Sequence, residues 1–306
     1  MLPTTTSAPG LNGTASAAPP PALRPRVGAD EIVEVVVGPK RGFGLPDLGE
    51  LWRHRELLYF LTWRDVKVRY KQTVLGVAWA VIQPLFTVVV FTVLFSIVAG
   101  MPSGDLPYPV LCFSALLPWT YFANVLGTAS NSLVNNAHLV NKVYFPRLLI
   151  PVSAVLTGLV DFAIAIATLL VLMLCYRLLP PLSALVTVPL LTLVTSVFGL
   201  GVSLWLSALN VRYRDVRHVV PFLLQLWMYA TPIVYTLSLV QERVPWLRWA
   251  VILNPMTGVI EGFRSALLGQ PWNLDALAVS GAGAAVMLAL GIWYFRRIED
   301  EFADVI

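Results

Sequence analysis

The 306 residues carry a net charge of +4 and are 57% hydrophobic but only 12% charged, whereas about a quarter of a typical soluble domain is charged. This shortage of charge excludes an ordinary soluble enzyme and indicates an integral membrane protein. Several stretches of about 20 or more residues lack Asp, Glu, Lys and Arg, and each is long enough as a helix to cross a hydrocarbon core of about 30 Å.

Residues 1–45 differ from the rest of the chain in composition. The first 25 are rich in Ala, Pro, Thr and Ser and lack the basic and apolar regions of a signal peptide. Apart from a strand-like run, EIVEVVV at 31–37, the region has too little apolar surface to offset chain entropy. We expect a disordered or extended cytoplasmic tail.

Residues 46–72 have the pattern of an amphipathic helix at the cytoplasmic membrane interface. Phe60, Leu61 and Val68 lie off its apolar stripe and are expected to face protein. Such a helix can bind a lipid phosphate or simply anchor the chain against anionic lipid. The stripe consists of Leu48, Trp52, Tyr59, Trp63, Val66 and Tyr70, and the basic side consists of Arg53, Arg64, Lys67 and Lys71.

Six charge-poor segments within residues 73–296 are predicted to span the membrane as helices. Only helices and closed barrels satisfy their backbone groups in lipid. These segments lack the alternation of apolar and polar residues that barrel strands show. Gln83-Pro84 should kink the first span, and the fifth is predicted despite Pro221 and Pro232. The predicted spans are 74–99, 108–127, 148–176, 182–209, 219–239 and 276–295.

The segment 244–269 is moderately apolar but interrupted by Pro245, Asn254-Pro255, Glu261 and Arg264. It is too interrupted to be a full span. Two half-length helices that enter one face of the membrane and return fit this pattern, as does a loop lying on the headgroups.

The distribution of basic residues predicts the orientation, since Lys and Arg stay on the cytoplasmic side. With six spans, 17 of the 21 Lys and Arg residues lie on one side. We therefore expect both termini, including the tail 297–306, to be cytoplasmic. The membrane topology explains the basic charge without any nucleic acid.

Asp161 lies near the middle of the third predicted span. Inserting a carboxylate there costs about 2.5 to 3.5 kcal/mol on insertion scales, so it must face protein or water. We expect a hydrogen bond with Ser, Thr or Asn neighbours. The alternative is a proton-coupled role.

Motifs for catalysis are missing from the sequence. It has no G-x-x-x-x-G-K-[ST] loop, nucleophile elbow or metal-binding cluster. Cys112 and Cys175 lie in apolar stretches without metal-ligand spacing. We expect no catalytic residue, no metal and no nucleotide hydrolysis by this chain alone.

Three blocks of sequence resemble the permease subunits of ABC-2 type exporters of lipid-linked polysaccharides such as O-antigen, capsule or teichoic acid. They are WRDVKVRYKQTVLGVAWAVIQPL at 63–85, NNAHLVNKVYFPRLLIP at 135–151, and the pair LNVRYRDVRH at 209–218 and LNPMTGVIEGFRSALLG at 253–269. The resemblance implies an all-helical homodimer of six-span subunits in the bacterial inner membrane, paired with two copies of a separate ABC ATPase. The ATP and Mg would then belong to that partner, and this chain would bind no cofactor.

The same resemblance implies roles for individual residues. Basic side chains at the end of the interfacial helix would guide the diphosphate of a polyprenyl carrier to the entrance, a coupling helix at about 130–146 would dock on the ATPase, and aromatic side chains of spans one and five would line the conduit. The entrance residues are Arg64, Lys67, Arg69 and Lys71; the coupling residues are His138, Asn141, Lys142 and Tyr144; the conduit residues are Trp79, Phe86, Phe91, Phe95, Trp227, Tyr229 and Tyr235.

The expected function is therefore export of a polyprenyl-diphosphate-linked, O-antigen-like polysaccharide, driven by ATP hydrolysis in the separate subunit. Two alternatives remain open. An ABC-2 exporter can move a small molecule such as a drug, and an ion-coupled transporter or channel can use Asp161 without any ATPase.

Overall fold

The computed structural model of the chain describes residues 48–71, 78–102, 104–143, 145–299 and 302. Within these ranges the ordered elements are all helical and there is no strand, which confirms the all-helical prediction. The predicted tail 1–45, with its strand-like run at 31–37, lies outside the described residues.

Twelve α-helices are present in the described ranges, and their bounds follow the Pro and Gly positions of the sequence. A π-helical stretch, Thr92–Val98, extends α3, and a 3-10 turn, Pro245–Leu247, precedes α10. The helices are α1 Leu48–Arg53, α2 Arg55–Lys71, α3 Ala78–Phe91, α4 Tyr108–Asn135, α5 Ala137–Lys142, α6 Leu149–Cys175, α7 Ala184–Arg212, α8 Val216–Ala230, α9 Leu237–Arg243, α10 Arg248–Ile252, α11 Pro255–Leu268 and α12 Leu274–Ile298.

Five of the helical segments in the described residues are long and apolar enough to cross a membrane: α3 with its π-helical extension, α4, α6, α7 and α12. They coincide with the first four and the last of the predicted spans. The protein is therefore a multi-pass membrane protein. The total of six spans remains a prediction, because it depends on α8.

The fifth predicted span, 219–239, is not one continuous helix. α8 ends at Ala230 and is about 22 Å long, shorter than a hydrocarbon core of about 30 Å. Thr231 has an extended backbone (φ −105°, ψ 141°), as expected for a residue before a proline, and Pro232 cannot continue the helix. Pro221, in contrast, lies within α8.

α4 lies at the centre of the described bundle and packs against α3, α6, α7, α8 and α11. At the start of α4, the Tyr108 hydroxyl donates to the carbonyl of Val234, just before α9, at 3.0 Å. At the other end, α4 is followed by α5. We name these two ends of the bundle the α9 end and the α5 end.

Glycine lets the backbones of α7 and α12 touch. A Cβ placed on Gly201 would lie 2.5 Å from the backbone nitrogen of Leu288, and one on Gly291 would lie 2.2 Å from the carbonyl oxygen of Gly201. Such contacts between small residues are typical of helices that pack within membranes. The pair therefore forms a rigid side of the bundle.

α2 packs along the first half of α6. Leu61, predicted to face protein, is 2% exposed and lies in a cluster with Leu149 at the α5 end. Phe60 and Val68, which have the same prediction, are 62% and 63% exposed in the single chain, and their prediction stands as one about another protein. The described residues of the chain thus cover only one side of α2.

Candidate functional site

A cavity of about 520 Å³ opens between the end of α2 and the helices α3, α4 and α6. Polar groups from α3 and α4 line it together with aromatic rings, and Met228 is the residue that α8 contributes. Its volume lies in the range of about 300 to 1,000 Å³ that is usual for small-molecule sites. The cavity is therefore the candidate site in the described part of the chain.

Asp161 closes one wall of this cavity as part of a three-residue cluster. Its carboxylate accepts hydrogen bonds from the guanidinium of Arg69 and the hydroxyl of Tyr70. The expected partners, Ser, Thr or Asn, were therefore wrong. An arginine satisfies the carboxylate better, because it neutralises the charge as well as donating hydrogen bonds.

Arg69 and Tyr70 reach Asp161 because α2 packs lengthwise along α6. Asp161 lies about 18 Å along the α6 axis from Leu149, so the last turn of α2 reaches well along α6 rather than stopping at its start. Burial and the hydrogen bond to Asp161 raise the pKa of Tyr70. Tyr70 is therefore a neutral donor, and the cluster as a whole carries no net charge.

The other three predicted entrance residues have different surroundings. Arg64 donates to Asp65 at 2.8 Å and to the side-chain oxygen of Asn136 at 2.9 Å, which connects α2 to the segment before α5. Lys67 and Lys71 are exposed and form no ion pair with the described residues. Two of the four predicted cations are thus already paired within the chain.

The predicted conduit aromatics have different surroundings within the single chain. Trp79 lines the cavity, while Phe86 and Tyr229 are not part of its lining and are 68% and 56% exposed. Phe91 and Phe95 pack edge to face with ring centroids 5.5 Å apart. The structure therefore brings only Trp79 to the cavity.

Trp227 lies in an aromatic cluster in the core. Its ring packs edge to face against Phe122, Phe198 and Trp119, at centroid distances of 5.1, 6.0 and 6.2 Å. Its indole nitrogen donates to the side-chain oxygen of Asn254 at 2.9 Å. Within one subunit, Trp227 thus joins α8 to α4, α7 and the start of α11.

The segment 244–269 depends on a buried arginine. Arg264 is fully buried; it donates to Glu261 at 2.9 Å and to the carbonyls of Tyr235 and Ile233 at 3.1 and 2.8 Å. Glu261 also accepts from the backbone N–H of Leu237 at 3.2 Å. The pair therefore supplies the hydrogen bonds that the break between α8 and α9 leaves unmade.

The predicted coupling segment contains a short helix, α5, after the long α4. Val140 is buried against the bundle, whereas His138, Asn141 and Lys142 are exposed. Tyr144 lies outside the described residues. The three described coupling residues thus share the outward side of α5.

Sequence reasoning missed two features. The Glu261–Arg264 pair has the three-residue spacing that places side chains on one helix face, yet the two residues were taken only as interruptions of an apolar segment. Thr120, Asn124 and Thr128 line the cavity at a spacing of four, which also places them on one face of α4.

Within the described ranges, no group of His, Cys, Asp and Glu is arranged to hold a metal ion.

Comparison with known proteins gives a consistent result. Residues 56–268 match the family described as ABC-2 type transporter. Over 258 residues the chain is 31% identical to the O-antigen export system permease protein RfbA of Myxococcus xanthus, a match that covers 84% of this chain and 98% of the relative. A protein of the same name from Klebsiella pneumoniae is 28% identical over 251 residues, covering 82% and 95% of the two chains.

A more distant relative is named for the transport of a different polymer. The polysialic acid transport protein KpsM of Escherichia coli is 22% identical over 246 residues, which cover 78% of this chain and 91% of the relative. The matched regions of all three relatives include the helices that line the cavity.

Proposed function

The chain belongs to the ABC-2 type transporter family, and from this premise we propose that it is the membrane permease subunit of an exporter of O-antigen-like polysaccharide. The observation that carries the proposal is the match to O-antigen export permeases along more than nine-tenths of their length. The multi-pass helical bundle and the lack of a nucleotide-binding loop in the sequence support it.

The proposed assembly is a homodimer of this chain with two copies of a cytoplasmic ABC ATPase. It lies in the bacterial inner membrane with both termini in the cytoplasm, so that the α5 end faces the ATPase. Because 17 of the 21 Lys and Arg residues then lie on the cytoplasmic side, this orientation satisfies the positive-inside rule. In this assembly α8 and the segment after it form the fifth of the six spans, and α9–α11 lie at the outer side as re-entrant helices.

The exposed side of α5 is proposed to transmit the motion of the ATPase. His138, Asn141 and Lys142 face outward, while Val140 and the cluster around it attach α5 to α4 and α6. A push on α5 therefore reaches the helices that line the cavity. Arg64 extends the same connection to α2 through Asn136.

The diphosphate of the lipid carrier is proposed to meet the cations at the end of α2. Since Arg64 and Arg69 are paired with Asp65 and Asp161, Lys67 and Lys71 are the two entrance residues with exposed charge. Charge-assisted hydrogen bonds from such side chains suit a diphosphate. Arg64 and Arg69 position α2 rather than meeting the carrier directly.

The first experiment is to purify the chain together with the products of its neighbouring genes and to measure the stoichiometry by mass spectrometry. We expect an ATPase subunit at a one-to-one ratio. Lys142→Glu should then uncouple ATP hydrolysis from polymer export while leaving the permease in the membrane. Arg243→Glu, the same charge reversal on exposed α9, is the control and should leave export unchanged.

Two outcomes would count against the proposal. A chain that transports without any ATPase subunit contradicts the ABC assignment itself. Normal export by the Lys142→Glu variant contradicts only the role of α5, since the family and the substrate would stand.

A further inference from the structure

The segment that follows α12 packs back against the α5 end of the bundle. Phe302 lies four positions after the last residue of α12, yet its side chain is fully buried. Its ring packs edge to face against Phe295 of α12, with the ring centroids 5.2 Å apart. Residues beyond the last helix of a domain are usually poorly ordered unless contacts hold them. The burial of this ring therefore attaches the segment to the bundle.

Arg147 connects this segment to the chain between α5 and α6. Its guanidinium donates a hydrogen bond to the backbone carbonyl of Glu299 and lies over the ring of Phe302, 5.9 Å from the ring centroid. The last carbonyls of a helix have no donor within the helix, and a cation beside them also interacts favourably with the helix dipole. Arg147 thus binds the end of α12 through the backbone and through one buried ring.

α5 belongs to the same apolar cluster as these residues. Val140 of α5 and Phe145, which follows it, are buried in the cluster that contains Phe295 and Phe302. α12 in turn packs against α7, where glycines bring the two backbones into contact. Packed side chains and hydrogen bonds are what carries coupling between distant parts of a protein. Motion of α5 therefore has a connection to α12 and α7 as well as to α4 and α6.

The geometry of α5 depends on attachments before and after it. A helix of six residues is not stable by itself, because its nucleation costs more free energy than so few hydrogen bonds return. Before α5, Arg64 of α2 donates to the side-chain oxygen of Asn136 at 2.9 Å. After α5, Arg147 binds Glu299 and Phe302. The two arginines thus connect the chain before α5 to α2 and the chain after α5 to α12.

We propose that Arg147 and Phe302 are positioning residues for export. They fix the chain after α5 to the end of α12, so that a push on α5 moves α12 and α7 together with α4 and α6. This inference rests on the proposed export function and adds a second connection from the ATPase into the bundle. Neither residue has to touch ATP or the polymer. Without their contact, α5 moves with the ATPase while α12 stays in place.

The test compares polymer export with ATP hydrolysis in the complete complex of permease and ATPase. Surface polymer is measured in cells and ATP hydrolysis on the purified complex, each per assembled complex. Phe302→Ala removes the buried ring, and Arg147→Met removes the cation from a side chain of similar length. We expect both variants to hydrolyse ATP but to export about fivefold less polymer per ATP, or less still, since fivefold is the lower limit of a usual coupling between sites. Arg147→Lys, which keeps a charged donor, should regain most of this loss.

Arg297→Met is the matched control. Arg297 is an exposed cation in the last turn of α12 and lies over the ring of Trp293 in its own helix, 5.6 Å from the ring centroid. The substitution removes the same charge and the same kind of ring contact within α12 alone. Export per ATP should therefore stay unchanged.

Three results would overturn the proposal and leave the exporter intact. In the first, Phe302→Ala and Arg147→Met lower the amount of assembled complex but not the export per ATP, so that the two residues only stabilise the fold. The second is normal export by Arg147→Met, which decides the matter even where Phe302→Ala does not accumulate in the membrane. The third is an equal loss in Arg297→Met, which assigns the effect to charge alone. Unchanged surface polymer after deletion of the chain would instead overturn the proposed function and this inference with it.

Discussion

α3 and α4 are consecutive membrane-spanning helices with opposite surroundings. In the most apolar stretch of α3 only 6% of the residues are buried within the chain, compared with 78% in α4, although α3 is the more apolar of the two. In a soluble protein the more apolar helix would be the buried one. Here lipid is as apolar as the core, so apolarity does not predict which helix is inside.

Polar side chains predict burial better in this chain. The hydroxyls of Ser114 and Ser132 on α4 donate to backbone carbonyls of their own helix, at 2.8 and 2.7 Å. Asn131 accepts a hydrogen bond from Asn210 of α7 at 3.0 Å. The serine hydroxyls are satisfied within α4, whereas the Asn131–Asn210 pair needs a neighbouring helix because lipid offers no partner. This pair favours a central position for α4.

The largest effect should come from removing a core ring of α4. Phe122→Ala deletes a side chain that is fully buried and packs against Trp227 and Phe198. We expect the free energy of unfolding to fall by about 3 to 5 kcal/mol, the usual cost of such a deletion. Thermal unfolding in detergent, followed by tryptophan fluorescence, measures the change.

Phe86→Ala on α3 is the matched control, since the same ring there is 68% exposed. It should change stability by no more than about 0.5 kcal/mol in the isolated chain. A loss as large as that of Phe122→Ala would show that another subunit covers α3, and the contrast between the two helices would then hold only within one chain.

An effect of similar size but more local is expected at Arg264, which lies close to Tyr108 in the first turn of α4. Arg264→Met leaves Glu261 and two carbonyls without their donor in a buried site. Removing one partner of a buried ion pair typically costs about 3 to 5 kcal/mol. We expect the α9 end to become accessible to protease or to hydrogen exchange before the rest of the bundle.

Arg248→Met tests the same change at a more exposed pair. Arg248 and Asp275 are 3.4 Å apart, and the Asp275 side chain is 61% exposed, so the loss should be below about 1 kcal/mol. Similar losses for the two variants would mean that burial inside the bundle does not strengthen the Arg264 pair.

The sequence predicted the long helices because their signals are local. Charge-poor runs predict α4, α6, α7 and α12. Pro232 indicates the end of α8, although it lies within the predicted span. The burial of Leu61 was also predicted, from its position off the stripe of α2.

The candidate site was harder to predict, because it depends on which faces of α2, α3, α4 and α6 pack against one another. The mid-membrane position of Asp161 showed that a partner was needed but not that Arg69, from a helix more than 90 positions earlier in the chain, would supply it. Asn124 lies in a span that reads as apolar overall, and only its spacing from Thr120 and Thr128 marks the cavity face. Tertiary contacts, which a single sequence does not contain, decide both.

A smaller effect than at Phe122 or Arg264 is expected at the pair that closes the cavity between α3 and α4. Arg69 is 34% and Asp161 19% exposed, so breaking the pair should cost about 1 to 2 kcal/mol, between the exposed and the buried limits. Arg69→Gln and Asp161→Asn should each lower the unfolding temperature. The double variant should lose less than the sum of the two, because neither charge is then left alone.

Export by the same variants distinguishes a structural pair from ion coupling. If Arg69 and Asp161 hold α2 against α6, the double variant should regain export along with stability, since no proton or ion has to bind the carboxylate. An ion-coupled transporter would lose activity whenever Asp161 is replaced, in the double variant as in the single one. Restored export in the double variant therefore excludes Asp161 as a coupling residue and leaves it as the structural partner of Arg69.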